Sequence, residues 1–205
     1  MQGDSQNTRF YAAAVQRNRD PILGVLKRVL PETGIVLEIA GGTGEHAAYL
    51  APHFPGLAWR PSEADPAMLP SIAAWAGKTE NIAAPVLLDV RADDWPVERA
   101  DAVVCINMIH ISPWESCLGL MAGAGRVLPA GGVLYLYGPY KLGGQHTAPS
   151  NAAFDESLRR RDPAWGVRDL EKVKDAAAGH GLMFREHVAM PANNFSVVFE
   201  KLGTV

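Results

Sequence analysis

The chain has 205 residues, of which 48% are hydrophobic, and a formal net charge of −3. That length suits one domain with a substantial core, and the hydrophobic share excludes wholesale disorder. The small negative charge argues against a general nucleic-acid-binding surface.

Arg159-Arg160-Arg161 is the only dense cationic run, and Asp155, Glu156 and Asp162 flank it, so it reads as a solvated helix face. Cys105 and Cys117 are too few for a disulfide framework, and no metal-ligand spacing stands out. No apolar run approaches the roughly 18 residues of a membrane span. The opening residues 1–7 are polar and unlike a signal peptide, so the expected location is the cytoplasm.

Residues 7–30 read as one or two helices. Asp20-Pro21 marks a helix start, because aspartate caps and proline fits the first turn. Ile22, Leu23, Leu26, Val29 and Leu30 follow at helical spacing, and Gly34 ends the run. Strands are expected at 35–39, 57–62, 85–88, 102–106 and 131–137, with helices at 44–52, 66–77 and 114–128. This alternation predicts an α/β fold with a doubly wound, mostly parallel sheet covered on both faces. Residues 138–168 form a long insertion around one helix, at the sheet edge where ligands bind, and read as a substrate-side wall or lid. Residues 182–190 and 195–201 are strand-like and too close for a helix between them, so they pair as an antiparallel hairpin. No linker divides the chain, so 1–205 reads as one domain with 1–30 as an N-terminal helical cap.

Val36–Ala47 carries the most chemistry. An apolar strand reaches Glu38, breaks at Gly41, Gly42 and Gly44, and runs into a helix. That turn presents backbone N–H groups to a ligand. The glycines alone suit either a nicotinamide dinucleotide or S-adenosylmethionine (SAM). The acid at Glu38 favours SAM, whose ammonium and sulfonium are cationic. Glu63, ending the second strand, is placed to accept ribose hydroxyls. Asp65 reads as the cap of the next helix. Asp89 ends the third strand, where a carboxylate can accept the adenine amine and Val90 can donate its backbone N–H to the ring. Asn107, after the fourth strand, can line the methyl-transfer region.

Further blocks extend the pattern: Arg17-Asn-Arg-Asp-Pro-Ile-Leu23, Trp59-x-Pro-Ser-Glu63, Cys105–Ile111, Phe154-Asp-x-x-Leu-Arg159, Asp162-Pro-x-Trp-Gly166 and Met190–Asn194. Together with the glycine turn they resemble the class I SAM-dependent methyltransferases, and among them the methyltransferase-like domain-of-unknown-function 938 family. The likeness spans nearly the whole chain. It implies a seven-stranded Rossmann-like sheet with SAM at the carboxyl edge. It also implies cofactor roles for Arg17, Asn18, Glu38, Gly41, Gly42, Gly44, Glu63, Asp89, Val90 and Asn107, with Arg17 near the cofactor's carboxylate. The chain has Glu63 where aspartate is usual, and Gly41 where the family often has serine.

Methyl transfer from a sulfonium is an in-line displacement, so the protein mainly aligns the reactants and excludes water. A base is needed only where the acceptor must lose a proton. His110, Tyr140 and His146 are the candidates, with His110 first, against the plainer reading of His110 as a packed residue at the pocket lip. Tyr140 can instead stack on substrate, and Phe10, Tyr11, His146 and Trp165 are candidate acceptor-pocket residues. Asn193 and Asn194 lie in the last turn, where asparagine tolerates left-handed geometry. The expected function is methylation of a small-molecule acceptor. The rivals are a non-catalytic SAM-binding module and a nicotinamide-dependent reductase; an obvious Tyr-x-x-x-Lys pair for the latter is missing.

Overall fold

A computed structural model describes residues 8–77 and 79–203. The polar opening heptapeptide, and with it the signal-peptide question, lies outside the described residues. A seven-stranded sheet has the spatial order β3-β2-β1-β4-β5-β10-β9. Its strands are β1 (Gly34–Ile39), β2 (Leu57–Glu63), β3 (Val86–Leu87), β4 (Ala102–Ile106), β5 (Val133–Gly138), β9 (Leu182–Met190) and β10 (Asn194–Lys201). The first five run parallel, and β10 is antiparallel to both β5 and β9. The doubly wound α/β sheet and its reversed terminal hairpin are as the sequence implies.

Side chains leave each parallel strand on alternate faces and build two cores. On one face Leu37, Val103, Cys105, Leu134 and Leu136 pack under α4 (Trp114–Val127) and α6 (Leu170–Ala178). On the other, Val36, Trp59, Val104 and Tyr135 pack under α1 (Ala13–Val29) and α2 (Glu45–Leu50). β4 is buried along its full length, as a central parallel strand must be.

α1 overturns the expected helix start at Asp20-Pro21. Pro21 sits inside one continuous helix. Proline lacks an N–H, so the Arg17 carbonyl has no partner four residues on, at a cost of about 3 kcal/mol. Val15, Asn18, Ile22 and Leu26 are buried on one face spanning that point, and their packing outweighs the local penalty. α3 (Leu69–Ala76) also starts later than expected. Asp65 instead caps the preceding turn by accepting the Ala67 N–H at 2.9 Å.

Residues 138–168 are more ordered than an irregular insertion. β6 (Tyr140–Leu142), β7 (Gln145–His146) and β8 (Arg168–Asp169) form a three-stranded sheet beside α5 (Pro149–Arg161). Asp155 is its hub. The carboxylate lies 3.1 Å from Lys141, 3.3 Å from His146 and 3.3 Å from Arg159, and accepts the Val167 N–H at 2.7 Å. Among the described residues no helix is long and apolar enough to cross a membrane.

Candidate active site

The order of the sheet reverses between β1 and β4, and α/β sheets hold ligands at the carboxyl ends beside such a reversal. The glycine turn follows β1 there. Ala40, Gly42 and Gly44 all have left-handed backbone, at φ of 54°, 57° and 92°. Gly44 needs its missing side chain for packing, because a Cβ would stand 2.7 Å from the Ile72 Cα. Gly42 differs: a Cβ there would meet nothing within 4 Å, so its open side faces the cleft. Gly41 donates its N–H to the Ser62 carbonyl at 2.8 Å and ties the turn to β2.

Glu63 closes this turn from the neighbouring strand. One carboxylate oxygen accepts the Gly42 N–H at 2.9 Å, and the other accepts Ala64 and Asp65 N–H groups at 2.8 and 3.2 Å. A carboxylate has about four acceptor sites, so capacity for hydroxyl donors remains. Asp89 is chelated by Arg91, whose side-chain hydrogen bonds hold its carboxyl below the usual range. Glu38 lies beneath the turn at 2% exposure and accepts the Trp59 indole N–H at 2.9 Å. Burial raises its pKa to about 7, against the Trp59 hydrogen bond and with help from nearby Glu63.

Two cavities open along this edge. The first, about 330 Å³, is lined by Ala40, Gly42, Glu63, Asp89, Val90, Met108, Ser112 and Trp165 among others. The second, about 610 Å³, is lined by Arg17 and Asn18 of α1, Asn107, Tyr137, Asn151 and Phe154 of α5, and the 191–194 turn. Ile111 lines both. Exposed lining residues include Ala64 and Arg91 in the first cavity, Arg17 and Asn193 in the second, and the shared Ile111. Glu38, Gly41 and Gly44 line neither and support the turn from behind.

Several sequence-based assignments need correction. His110 is 1% exposed, lines neither cavity, and stacks edge-on against Tyr140 with ring centroids 5.2 Å apart. Gly138 packs so tightly on it that a Cβ would lie 2.1 Å from Nε2. Burial, with Arg168 nearby, lowers the His110 pKa to about 3. Tyr140 is fully buried in the core and presents no surface for stacking on substrate. His146 is held by Asp155 and lines neither cavity. Tyr11 packs on Trp75 at 5.2 Å, in a strap whose next link is the Phe10 N–H to the Ser71 hydroxyl at 2.8 Å. Trp165 does line a cavity, the one with Glu63 rather than the one with Arg17. Asn193 has the left-handed backbone expected of the last turn, and Asn194 does not.

Arg168 was not legible as a site residue. Its guanidinium donates to the Ile109, Ser112 and Ala164 carbonyls at 2.8, 2.5 and 3.0 Å. It thereby pins the loop that carries Ile111 to the insertion. Asn151 and Phe154 were also missed; their spacing of three on one helix face was the available signal.

The fold is shared with solved methyltransferases at low identity. An O-methyltransferase family protein from Burkholderia thailandensis superposes with a TM-score of 0.79 at 14% identity, over 94% of this chain and 58% of that one. Human N-acetylserotonin methyltransferase, solved in complex with SAM, gives 0.74 at 16% identity, over 93% and 53%. The putative methyltransferase in complex with the Haloferax volcanii Trm112 methyltransferase activator gives 0.72 at 15%, over 91% of both chains. The chain thus spans little more than half the length of the first two. Residues 9–201 match the model of a family described as a protein of unknown function, DUF938. The chain has the class I methyltransferase fold and belongs to the DUF938 family.

Proposed function

We propose that this protein is a SAM-dependent methyltransferase acting on a small-molecule acceptor. The observation that carries this is the pair of cavities meeting at Ile111, one rimmed by Glu63 and Asp89 and the other, among the described residues, with no Asp or Glu in its wall. The acid-rimmed cleft fits an adenosyl group attached to a cation. Glu63 takes the ribose hydroxyls, Asp89 and Val90 the adenine edge, and Gly42 leaves room for close backbone approach. Glu38 supplies buried negative charge beneath the cationic end, while Asn18 and Asn107 line the second cavity rather than the donor's. When bound, SAM supplies an activated methyl group on sulfur. The chain's own work is to hold the donor, align the acceptor in the second cavity and exclude water. α1 and the 138–168 insertion serve as walls of the acceptor chamber. Free, buried Cys105 and Cys117 suit a reducing, cytoplasmic setting.

Calorimetry with SAM, S-adenosylhomocysteine and NADH tests the donor. Binding of the first two and not the third is expected, and tight NADH binding overturns the reading. Trideuteromethyl-labelled SAM incubated with a small-molecule extract then tests transfer. Donor binding with no labelled product in any fraction would favour a SAM-binding module instead.

A further inference from the structure

We propose that the methyl acceptor is an organic anion, methylated on an oxygen that arrives already deprotonated, as in a carboxylate. This rests on the methyl-transfer reading above and concerns its second cavity.

The first ground is charge. Arg17 and the amides of Asn18, Asn107, Asn151 and Asn193 line this cavity, and among the described residues no Asp or Glu does. An acceptor amine in its ammonium form would meet a guanidinium and no counter-charge. A carboxylate would meet the planar donor fork of Arg17, whereas the Asn151 amide already donates to the Thr147 hydroxyl and the Asn193 carbonyl, and the Asn193 amide to the Ser150 hydroxyl. Phe154 and Ile111, both exposed, offer an apolar wall to the rest of such an acid.

The second ground is the absence of a base from that wall among the described residues. A neutral hydroxyl would have to lose its proton during transfer. His110 and Tyr140 are buried away from the cavity, and His146 is held by Asp155. Tyr137 is the remaining candidate in the wall. Burial raises its pKa, against the amides of Asn18 and Asn194, so it stays a protonated phenol at neutral pH. The acceptor therefore brings its own free electron pair.

The third ground separates two neighbours on α1. Asn18 is buried and commits its Oδ1 to His46 Nε2 at 2.9 Å. Arg17 leaves the helix about 100° around the axis. It is exposed at the cavity mouth and forms no ion pair with the described residues. This moves Arg17 from the cofactor's carboxylate, where the family resemblance put it, to that of the acceptor. In the transfer the acceptor oxygen bonds to the methyl carbon as the carbon–sulfur bond breaks and its electrons pass to sulfur. A neutral ester and a neutral thioether result, and no proton moves.

The test uses the protein saturated with S-adenosylhomocysteine and three matched probes: 2-naphthoate, 2-naphthamide and 2-naphthylmethylammonium. The acid should bind about tenfold tighter than the amide, with the ammonium weakest. Arg17→Gln should erase the acid's advantage and leave S-adenosylhomocysteine affinity unchanged. Equal affinities, no binding of any probe, or preference for the ammonium overturns the proposal. So does an Arg17→Gln protein that loses S-adenosylhomocysteine instead, because the guanidinium would then serve the cofactor. Failure of the unmutated protein to bind S-adenosylhomocysteine is a separate result, and it removes the methyltransferase reading underneath.

Discussion

The Glu63 carboxylate accepts the Gly42 amide at 2.9 Å, so the last residue of β2 holds the glycine turn of β1 from across the cleft. One side chain thus shapes the turn and lines the first cavity. Glu63→Ala should weaken S-adenosylhomocysteine binding by about 1–3 kcal/mol, the worth of charged hydrogen bonds. Calorimetry on the folded variant reads this, and unchanged affinity removes the ribose assignment.

The two left-handed glycines should part company when replaced. Gly44→Ala drives a methyl to 2.7 Å from Ile72 Cα and should cost about 2–4 kcal/mol of stability in urea unfolding. Gly42→Ala meets no protein atom within 4 Å and should cost only about 1–2 kcal/mol, the price of left-handed geometry. Its methyl enters the cleft, so donor affinity should fall while the fold survives. A Gly42→Ala protein that binds donor like the parent would show the ligand lies elsewhere.

Glu38 gives a pH dependence with a definite sign. Burial raises its pKa from 4.5 to about 7. The folded chain therefore holds this proton more tightly than the unfolded one. The group's contribution to stability is greatest below about pH 4.5, declines as pH rises to about 7, and is level above. Binding of a cation runs the other way. It requires the carboxylate, so SAM affinity should rise with pH by up to about tenfold per unit and flatten above pH 7. Glu38→Gln should remove both slopes. A flat affinity profile from pH 5 to 8 in the unmutated protein would exclude Glu38 from the cation's surroundings.

Arg168 should behave as a positioning residue. Arg168→Lys keeps the charge but loses the planar fork that reaches three carbonyls, so it should not rescue Arg168→Ala. Both variants should lose about 2–4 kcal/mol of stability. Hydrogen exchange over residues 109–112 should quicken in each, and protection equal to the parent's would contradict the clamp.

His110 has two buried ring nitrogens without hydrogen-bond partners among the described residues. Unpaired buried polar atoms are costly, and an apolar side chain of similar size removes that cost. His110→Leu should be as stable as the parent, or more stable by about 1 kcal/mol, with an unaltered pH profile of turnover. Loss of turnover in a folded His110→Leu protein would restore the histidine as base.

Much of the sheet was readable because its signals are local. Apolar runs, the Gly42 turn and acids at strand ends repeat at the spacing an α/β sheet imposes. Asp20-Pro21 misled because a strong local helix-start signal was outweighed by packing at distant Val36 and Trp59, which no window of sequence displays. β7 and β8 have two residues each and too little pattern to announce a strand; Asp155 draws that region together through space. The reactive-looking residues misled for a related cause. His110 and Tyr140 have useful chemistry, but burial decides access, and burial follows from the tertiary fold. Ile111 has no chemistry to notice, yet it ends up where the two cavities meet.

That shared residue has a kinetic consequence. In the proposed reaction the spent donor and the finished product would occupy cavities whose walls share Ile111 but otherwise differ, so each could leave without crossing the other's chamber. Neither has to wait for the other, so product-inhibition patterns should show random rather than compulsory release.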